Sequence, residues 1–438
     1  MKQTKKLLAL LLAVIMVFSL AACKESETKN NGSDLEVTEK ETTLYTGDDA
    51  DSTESRLANT HKLLTTDKKL TIGYLGGSIT YGGSAKEMDG DIDLSWVNRT
   101  SAWFQQKYPE ATIETVNAGL SDTATNFGLF RLEKTLMNEN GHDMPDLVFV
   151  EFTVNDVTYA TQTAEDLERQ AESLFLNIWK YNPYAEIVTV VTARNESKSR
   201  GAYKAVSEHY NVPFVDMGIP LQAKITEKIG TTNETADNYY YTVDNLHPSW
   251  RGYEIYFNEI EKNLKANLDG LEVKTNNLYP YGKKLATAKN QGLIESPKIM
   301  TVEDFEYSDA FKLKQEAITG NMYLTEKSVK AVPIVDKYIS TLKKATITAK
   351  FSGNALGVLF KMTEEGFNIE YKIDGGEAKT FKVEKGGNLS WQAYPHAQVF
   401  MLEHQLSEGE HTVEITFTSV NSSTRINTNF GGVLVDSK

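Results

Sequence analysis

The chain has 438 residues, of which 40% are hydrophobic and 24% charged, and its formal net charge at pH 7 is -14. This length leaves room for a leader, a tail and two domains of ordinary size. The negative balance disfavours a nucleic-acid surface, which needs clustered Lys and Arg to neutralise phosphates. Cys23 is the only cysteine, so disulfides, thiolate catalysis and cysteine metal sites are excluded from the mature fold.

Residues 1–22 have the order of an export signal. Basic residues come first, the apolar stretch Leu7 to Leu20 follows, and small residues precede Cys23. The apolar stretch is short for a membrane span and favours a signal peptide. Leu20-Ala21-Ala22-Cys23 resembles a bacterial lipobox, in which the cysteine is lipidated. We therefore predict an extracytoplasmic protein, lipid-anchored to the bacterial cell membrane through Cys23.

A polar segment follows this cysteine. Residues 24–56 contain ten acidic and four basic residues and few apolar ones. Such a composition cannot bury enough surface to offset the entropy of ordering. We predict that residues 23–60 are a lipidated cysteine and a disordered tether.

Residues 61–270 alternate short apolar runs with helical patterns, which predicts a doubly wound α/β domain with a parallel sheet. The predicted strands are Leu70–Leu75, Thr112–Val116, Leu147–Phe152, Glu186–Thr192 and Val212–Val215. The predicted helices are Ser95–Tyr108, Thr163–Tyr181, Ser199–Tyr210 and Ser249–Leu268. In such a sheet the active site lies at the carboxyl ends of the strands.

The pattern changes in the last third of the chain. Residues 271–298 show no clear period and are predicted to be a connector. Residues 299–438 contain short strands separated by glycine turns, which predicts an all-β sandwich. The predicted strands are Ala345–Phe351, Gly357–Lys361, Phe367–Ile373, Lys379–Val383, Gln398–Leu402, His411–Phe417 and Gly432–Val435.

Ser78 follows Gly76-Gly77 directly after the first predicted strand. A serine becomes a nucleophile when it projects from a tight turn and a base takes its proton. His247, just before the last helix, is a candidate base, and Asp244 lies three residues earlier, where it can orient the imidazole. Taken singly, the glycine turn also fits an ordinary strand-to-helix loop or a phosphate cradle, and His247 also fits a solvated histidine.

Four short blocks together resemble the SGNH or GDSL-type hydrolases. Gly77-Ser78-Ile79-Thr80 is similar to the first block, with Gly where the family usually has Asp. Asn117 to Asp122 is similar to the second block, Val154-Asn155-Asp156 to the third, and Asp244 to Pro248 to the last. The resemblance covers roughly residues 65 to 268 and implies a flavodoxin-like sheet.

The resemblance also implies an oxyanion hole. Asn155 would donate its side-chain amide, beside the backbone N–H groups of Ser78 and of a residue in the second block. Asp122 stands where the family has a glycine, and Gly119 lies close by, so either residue is a candidate for that second-block donor.

Aromatic residues supply candidates for sugar binding. Trp96 and Trp250 fit a platform near the site or an ordinary core. Trp391 and Tyr394 lie in the β region, which resembles carbohydrate-binding modules and could equally be a stabilising domain without a ligand. No cofactor or metal is predicted, because the histidines of this region match no metal-ligand spacing.

The leading hypothesis is an SGNH-type serine esterase that removes acyl groups from a carbohydrate, with acetyl as the favoured acyl group. Ser78 would attack the ester, His247 would act as base and Asp244 would orient it. Two alternatives stay open at this point. One is a lipase, thioesterase or acyltransferase with the same triad, and the other is a non-catalytic, polysaccharide-binding lipoprotein.

Overall fold

The structure is a computed structural model. The residues that it describes are 57–137, 143–158, 162–272, 277–300, 302–309, 311–314, 328–331, 345–361, 367–383, 397–419 and 429–437. The predicted signal peptide, Cys23 and most of the predicted tether lie outside this range, as do Trp391 and Tyr394.

Residues 57–272 form a parallel sheet with helices on both faces. Its strands are β1 Lys69–Gly76, β2 Thr112–Gly119, β3 Leu147–Glu151, β4 Glu186–Val191 and β5 Phe214–Asp216. Its helices are α1 Ala58–Lys62, α2 Ser78–Tyr81, α3 Trp96–Lys107, α4 Thr125–Leu132, α5 Thr153–Thr158, α6 Ala164–Tyr181, α7 Lys198–His209, α8 Gly218–Ile229 and α9 Trp250–Leu268. The strand order is β2-β1-β3-β4-β5, which is the flavodoxin-like order, and the predicted fold class is confirmed.

The strands consist mostly of apolar residues because helices cover both faces of the sheet. All five residues of β3 are buried, and so is every residue of β1 after Lys69. Side chains of alternate strand positions join two separate apolar clusters, one on each face of the sheet. The pairing register aligns Gly76 with both Gly119 and Glu151, so three strand ends meet at one edge.

The predicted tether extends too far. Leu57 is wholly buried and α1 follows it. The backbone N–H groups of Asn59 and Thr60 each donate to the buried carboxylate of Glu186 at 2.8 Å. Residues 57–60 therefore belong to the folded domain, because a distant glutamate satisfies their backbone.

The C-terminal region is built of antiparallel strands. They are β6 Pro297–Met300, β7 Glu306–Tyr307, β8 Phe311–Lys314, β9 Ser328–Ala331, β10 Ala345–Ser352, β11 Leu356–Lys361, β12 Phe367–Ile373, β13 Lys379–Val383, β14 Ala397–Glu403, β15 Glu410–Ser419 and β16 Asn429–Asp436. They form two sheets, in the orders β13-β12-β15-β10-β7 and β14-β11-β16-β9-β8, with β6 also paired to β16. Both sheets contribute to one apolar cluster, so they pack as a sandwich.

The sandwich and the α/β region share packing. Leu359, Val399 and Leu434 of the sandwich join the same apolar cluster as α4 and α6. The segment between the two regions is held along α6, where the buried carboxylate of Glu172 accepts the backbone N–H groups of Lys289 and Asn290 at 2.6 and 2.8 Å. The predicted connector is thus pinned to the first domain over part of its length.

Candidate active site

The turn between β1 and α2 places Ser78 at the edge of the sheet, and its shape depends on two glycines. A Cβ on Gly76 would lie 2.5 Å from the carbonyl oxygen of Glu151, and one on Gly77 would lie 2.4 Å from Asn155 Nδ2. Real Cβ atoms do not approach that closely, so a larger residue would displace the turn itself at Gly76 and the side chain of Asn155 at Gly77. The short helix that follows begins at Ser78 itself.

Three side chains form a continuous hydrogen-bonded chain. Ser78 Oγ lies 2.7 Å from His247 Nε2, and His247 Nδ1 lies 2.7 Å from Asp244 Oδ2. The other carboxylate oxygen of Asp244 accepts the backbone N–H of His247 at 2.7 Å and that of Leu246 at 3.0 Å. Serine, base and carboxylate are therefore aligned for proton transfer from the hydroxyl to the imidazole.

The carboxylate of Asp244 is about half exposed. Partial burial would raise the pKa of Asp244, but the hydrogen bonds from the His247 side chain and from the backbone of residues 246 and 247 outweigh it and hold this pKa below its ordinary value. Hydrogen bonds to the ionised form account for this direction. Asp244 is thus an anion at neutral pH and can orient His247.

The loop that carries this pair is built around a second carboxylate, which sequence reasoning missed. Glu234 is buried and accepts the backbone N–H groups of Tyr240, Tyr241 and Thr242 at 2.9, 2.9 and 2.6 Å. Its own N–H donates to Asn245 Oδ1 at 2.9 Å. The Asp-x-x-His pair is therefore held from outside its own sequence motif.

Asn155 lies beside the serine turn. Its Nδ2 donates to the carbonyl oxygen of Thr123 at 2.8 Å and borders Gly77. An amide nitrogen carries two hydrogens, and among the described residues the second one has no acceptor. This leaves one N–H donor next to Ser78, at the carboxyl end of β3.

The two second-block candidates differ in the structure. The backbone N–H of Gly119 donates to Asn117 Oδ1 at 2.9 Å, so it is already used within its own loop. Gly119 is therefore the wrong candidate for a free donor. Asp122 takes the left-handed conformation, with φ of +60°, which glycine adopts most easily and Asp tolerates better than most residues. The aspartate thus keeps the backbone shape expected of the family glycine.

Two buried carboxylates support the site from below. Glu151 accepts Thr80 Oγ1 at 2.8 Å and Thr192 Oγ1 at 2.6 Å, and burial raises the pKa of Glu151. Asp156 accepts the N–H and the hydroxyl of Thr125 at 2.8 and 2.7 Å, and burial raises the pKa of Asp156 to about 6. Both residues serve as hydrogen-bond acceptors, as their positions beside Asn155 suggested.

Arg131 was not singled out from the sequence. It is wholly buried, donates to the carbonyl oxygens of Gly76 and Ala118 at 2.8 and 2.7 Å, and burial lowers its pKa to about 9. It therefore joins the carboxyl ends of β1 and β2 directly beneath the site. Its signal in the sequence is weak, because an arginine seven residues into a helix usually faces solvent.

An open cleft of about 340 Å³ surrounds the nucleophile. Its lining residues are Ser78, Tyr81, Gly83, Ser84, Glu87, Ser121, Val243 and His247. Within the described part of the chain, His, Cys, Asp and Glu side chains form no cluster of three or more that could hold a metal ion. No helix in the same residues is long and apolar enough to cross a bilayer.

The two tryptophans considered for a sugar platform differ in the structure. Trp96 is wholly buried between Tyr74 and Phe149, and its N–H donates to the carbonyl oxygen of Ile79 at 3.2 Å. Its assignment to substrate binding is wrong, because the ring is core beneath the serine turn. Trp250 is partly exposed and donates to the carbonyl oxygen of Met88 at 3.2 Å, and its role in substrate binding stays a prediction.

A doubly wound parallel sheet with a Ser-His-Asp chain at its carboxyl edge defines a serine hydrolase. Residues 74–255 match the model of the GDSL-like Lipase/Acylhydrolase family. This part of the chain is a domain of that family, and the resemblance to SGNH and GDSL-type hydrolases is confirmed. The sequence matches no curated protein.

Solved structures resemble this chain to different degrees. A two-domain esterase (CEX) active on acetylated mannans superposes with a TM-score of 0.68 at 19% identity, over 88% of this chain and 96% of that one. The same esterase co-crystallised with mannopentaose gives a TM-score of 0.67 at the same identity and coverage. Axe2, an acetylxylan esterase from Geobacillus stearothermophilus, is 22% identical over 47% of this chain and 97% of its own, with a TM-score of 0.34.

Proposed function

We propose that this protein is an esterase that removes acetyl groups from a carbohydrate through an acyl-enzyme intermediate. The observation that carries the proposal is the pair of 2.7 Å hydrogen bonds joining Ser78, His247 and Asp244. A hydroxyl bonded to an imidazole, which is itself oriented by a carboxylate, is the arrangement that activates serine for attack on an ester.

In the first half-reaction Ser78 Oγ attacks the acetyl carbonyl carbon, and its proton passes to His247 Nε2. The carbonyl oxygen becomes an oxyanion in the tetrahedral intermediate. When this intermediate collapses, His247 returns the proton to the sugar oxygen, which leaves as an alcohol. Water then enters, His247 takes one of its protons, and the resulting hydroxide attacks the acyl-enzyme. Acetate leaves as His247 returns the proton to Ser78 Oγ.

Two donors flank the place where the oxyanion would form. Ser78 is the first residue of α2, so its N–H has no acceptor within the helix. The second N–H of the Asn155 side chain lies beside Gly77. Donors that are already in place when the charge develops cost no reorganisation, which is why they accelerate acyl transfer.

A carbohydrate acetate fits the cleft better than a long acyl chain does. Its lining contains serines, glycine, histidine and glutamate, with Val243 and Tyr81 as the larger apolar contributors. A fatty acyl group needs an extended apolar surface to leave water, at about 25 cal/mol per Å² buried. The two-domain neighbour, which is active on acetylated mannans, supports the choice of substrate class.

Acetate release tests the proposal. Wild-type protein and Ser78→Ala are compared on para-nitrophenyl acetate and on acetylated mannan, xylan and peptidoglycan. We expect the wild type to release acetate from at least one polymer and the variant to lose activity on every substrate. Full activity of Ser78→Ala would exclude this mechanism.

Two further measurements address the alternatives. Rates on para-nitrophenyl esters of increasing chain length should fall beyond acetate, whereas rates that rise would favour a lipase or thioesterase. Labelling of Ser78 by a serine-directed fluorophosphonate should occur in the wild type. Its absence would favour a non-catalytic polysaccharide-binding protein.

The lipid anchor is proposed from the sequence alone. Cys23 follows an apolar stretch and small residues in lipobox order. Expressed in bacteria with its own leader, the wild type should sediment with membranes, and Cys23→Ser should appear in the soluble fraction. Equal partition of the two proteins would overturn the anchor.

A further inference from the structure

The wall of the cleft contains an exposed aromatic side chain that the triad chemistry does not use. Tyr81 lines the cleft with Ser78 and is 48% exposed. It is three residues after the nucleophile within α2, and residues three apart share a helix face. The ring therefore stands on the same side as the serine hydroxyl, beside the path of an entering substrate.

The position of this ring is set by the backbone around it. Tyr81 N donates to the carbonyl oxygen of Gly77 at 3.0 Å. A Cβ on Gly119 would lie 2.2 Å from that same nitrogen, and a Cβ on Gly83 would lie 2.9 Å from Tyr81 Cε1. Because position 119 is glycine, the backbone of Tyr81 can pack against the end of β2. Because position 83 is glycine, the Tyr81 ring can lie beside the following turn.

A carboxylate lies across the same wall. Glu87 is exposed and lines the cleft, and no described residue makes a hydrogen bond or an ion pair with its side chain. The neighbouring Ser84 hydroxyl is different, because it donates to the carbonyl oxygen of Pro248 at 2.7 Å. Glu87 is therefore a cleft acceptor that is left for a ligand, and a carboxylate accepts hydrogen bonds without donating any.

We infer that Tyr81 and Glu87 form the subsite for the sugar ring that carries the scissile acetyl group, an inference that rests on the proposed function. A pyranose has an apolar C–H face, which packs on an aromatic ring, and hydroxyls at its edge, which donate to a carboxylate. With the ring on Tyr81, an acetyl substituent on that sugar reaches Ser78. The pair thus selects the leaving alcohol, whereas the triad acts on any small ester.

Two substrates separate these roles. Para-nitrophenyl acetate presents the acetyl group without a sugar, and acetylated manno-oligosaccharide presents both. Tyr81→Ala and Glu87→Gln are compared with wild type on each, and Met144→Ala, an exposed hydrophobic residue just before β3, is the matched control. Tyr81→Phe retains the ring and should behave as wild type.

We expect kcat/KM on the oligosaccharide to fall about tenfold or more for Tyr81→Ala and for Glu87→Gln, mainly through KM, and at least about threefold further than on the aryl ester, while Met144→Ala leaves both rates unchanged. An equal fall on both substrates would mean that the residues only support the serine turn, and no change on either would mean that they do not contact the sugar. Both results overturn the inference. A wild type that cleaves only the aryl ester would instead refute the proposed carbohydrate substrate.

Discussion

Glu234→Gln is the sharpest test of how the catalytic loop is held. The Glu234 carboxylate is buried and accepts two backbone N–H groups on Oε1, from Tyr240 and Tyr241. Its Oε2 accepts the N–H and the hydroxyl of Thr242 at 2.6 and 2.5 Å. Glutamine has the same shape but offers one acceptor oxygen, so its NH₂ group would face either the two N–H donors of Tyr240 and Tyr241 or the N–H of Thr242, whose hydroxyl can rotate to accept.

The magnitude follows from the number of bonds lost. Hydrogen bonds to a charged group contribute about 1.5–3 kcal/mol each, so losing at least one costs the loop about 1.5–3 kcal/mol or more. Removing a buried charge offsets part of this loss. A net loss of about 2 kcal/mol would lower the ratio of ordered to open loop about 30-fold. Because the same loop presents Asp244 and His247, we expect kcat to fall by up to about that factor.

Steady-state rates on para-nitrophenyl acetate and amide hydrogen exchange across residues 240–247 measure the two effects. Glu227→Gln is the control, since Glu227 is an exposed glutamate whose partner is the surface residue Lys224. The control should match the wild type in both assays. Wild-type kcat together with wild-type exchange protection in Glu234→Gln would refute the role of the carboxylate.

Four further outcomes are expected. Asn155→Ala should lower kcat about 10²- to 10³-fold with KM little changed in steady-state assays, as for other oxyanion donors. Asp244→Asn should lower kcat about 10²- to 10⁴-fold in the same assays, because His247 then loses its anionic partner. In urea denaturation Asp122→Gly should have about 1 kcal/mol more unfolding free energy than Asp122→Ala, because both variants lack the carboxylate and φ is positive there. The hydrogen bond to Asp374 raises the pKa of His411 above its ordinary value of 6.5. The stabilisation of the fold by protonated His411 is therefore complete below pH 6.5 and disappears as the pH rises through the raised pKa. His411→Ala should remove that pH dependence from thermal melts.

The sheet and the meeting of the triad followed from local patterns. Apolar runs such as β3 are buried on both faces. A strand buried on both faces must be apolar at nearly every position, and such a run can be recognised in the sequence. Ser78 was placed just after the first predicted strand and His247 just before the last predicted helix, and in a doubly wound sheet the loops that lead into helices lie at the carboxyl ends of the strands. The order of these elements along the chain therefore sufficed to predict that the two residues meet.

What escaped the sequence depends on distant partners. Helix α4 was not predicted because Gly128 lowers helix propensity. A Cβ on Gly128 would lie 2.3 Å from the ring of Phe152. The glycine is therefore required for α4 to pack against the residue that follows β3. Residues 57–60 were assigned to the tether because their hydrogen-bond acceptor, Glu186, lies more than a hundred residues away in the sequence. Trp96 was ambiguous for the same reason, since only the fold decides which side of α3 is buried.

Helix α4 connects the sandwich to the chemistry. At its start Thr125 donates to Asp156, the neighbour of Asn155, and near its end Arg131 holds the carbonyl oxygens at the ends of β1 and β2. The side chain of Asn126 donates to the carbonyl oxygen of Val399 in the sandwich at 3.3 Å, and the apolar side chains of α4 share a cluster with the sandwich. Because cores are close-packed, a shift of the sandwich is transmitted to α4. The sandwich therefore supports the side of the site that carries Asn155 through packing and one hydrogen bond, whether or not it also binds a polysaccharide.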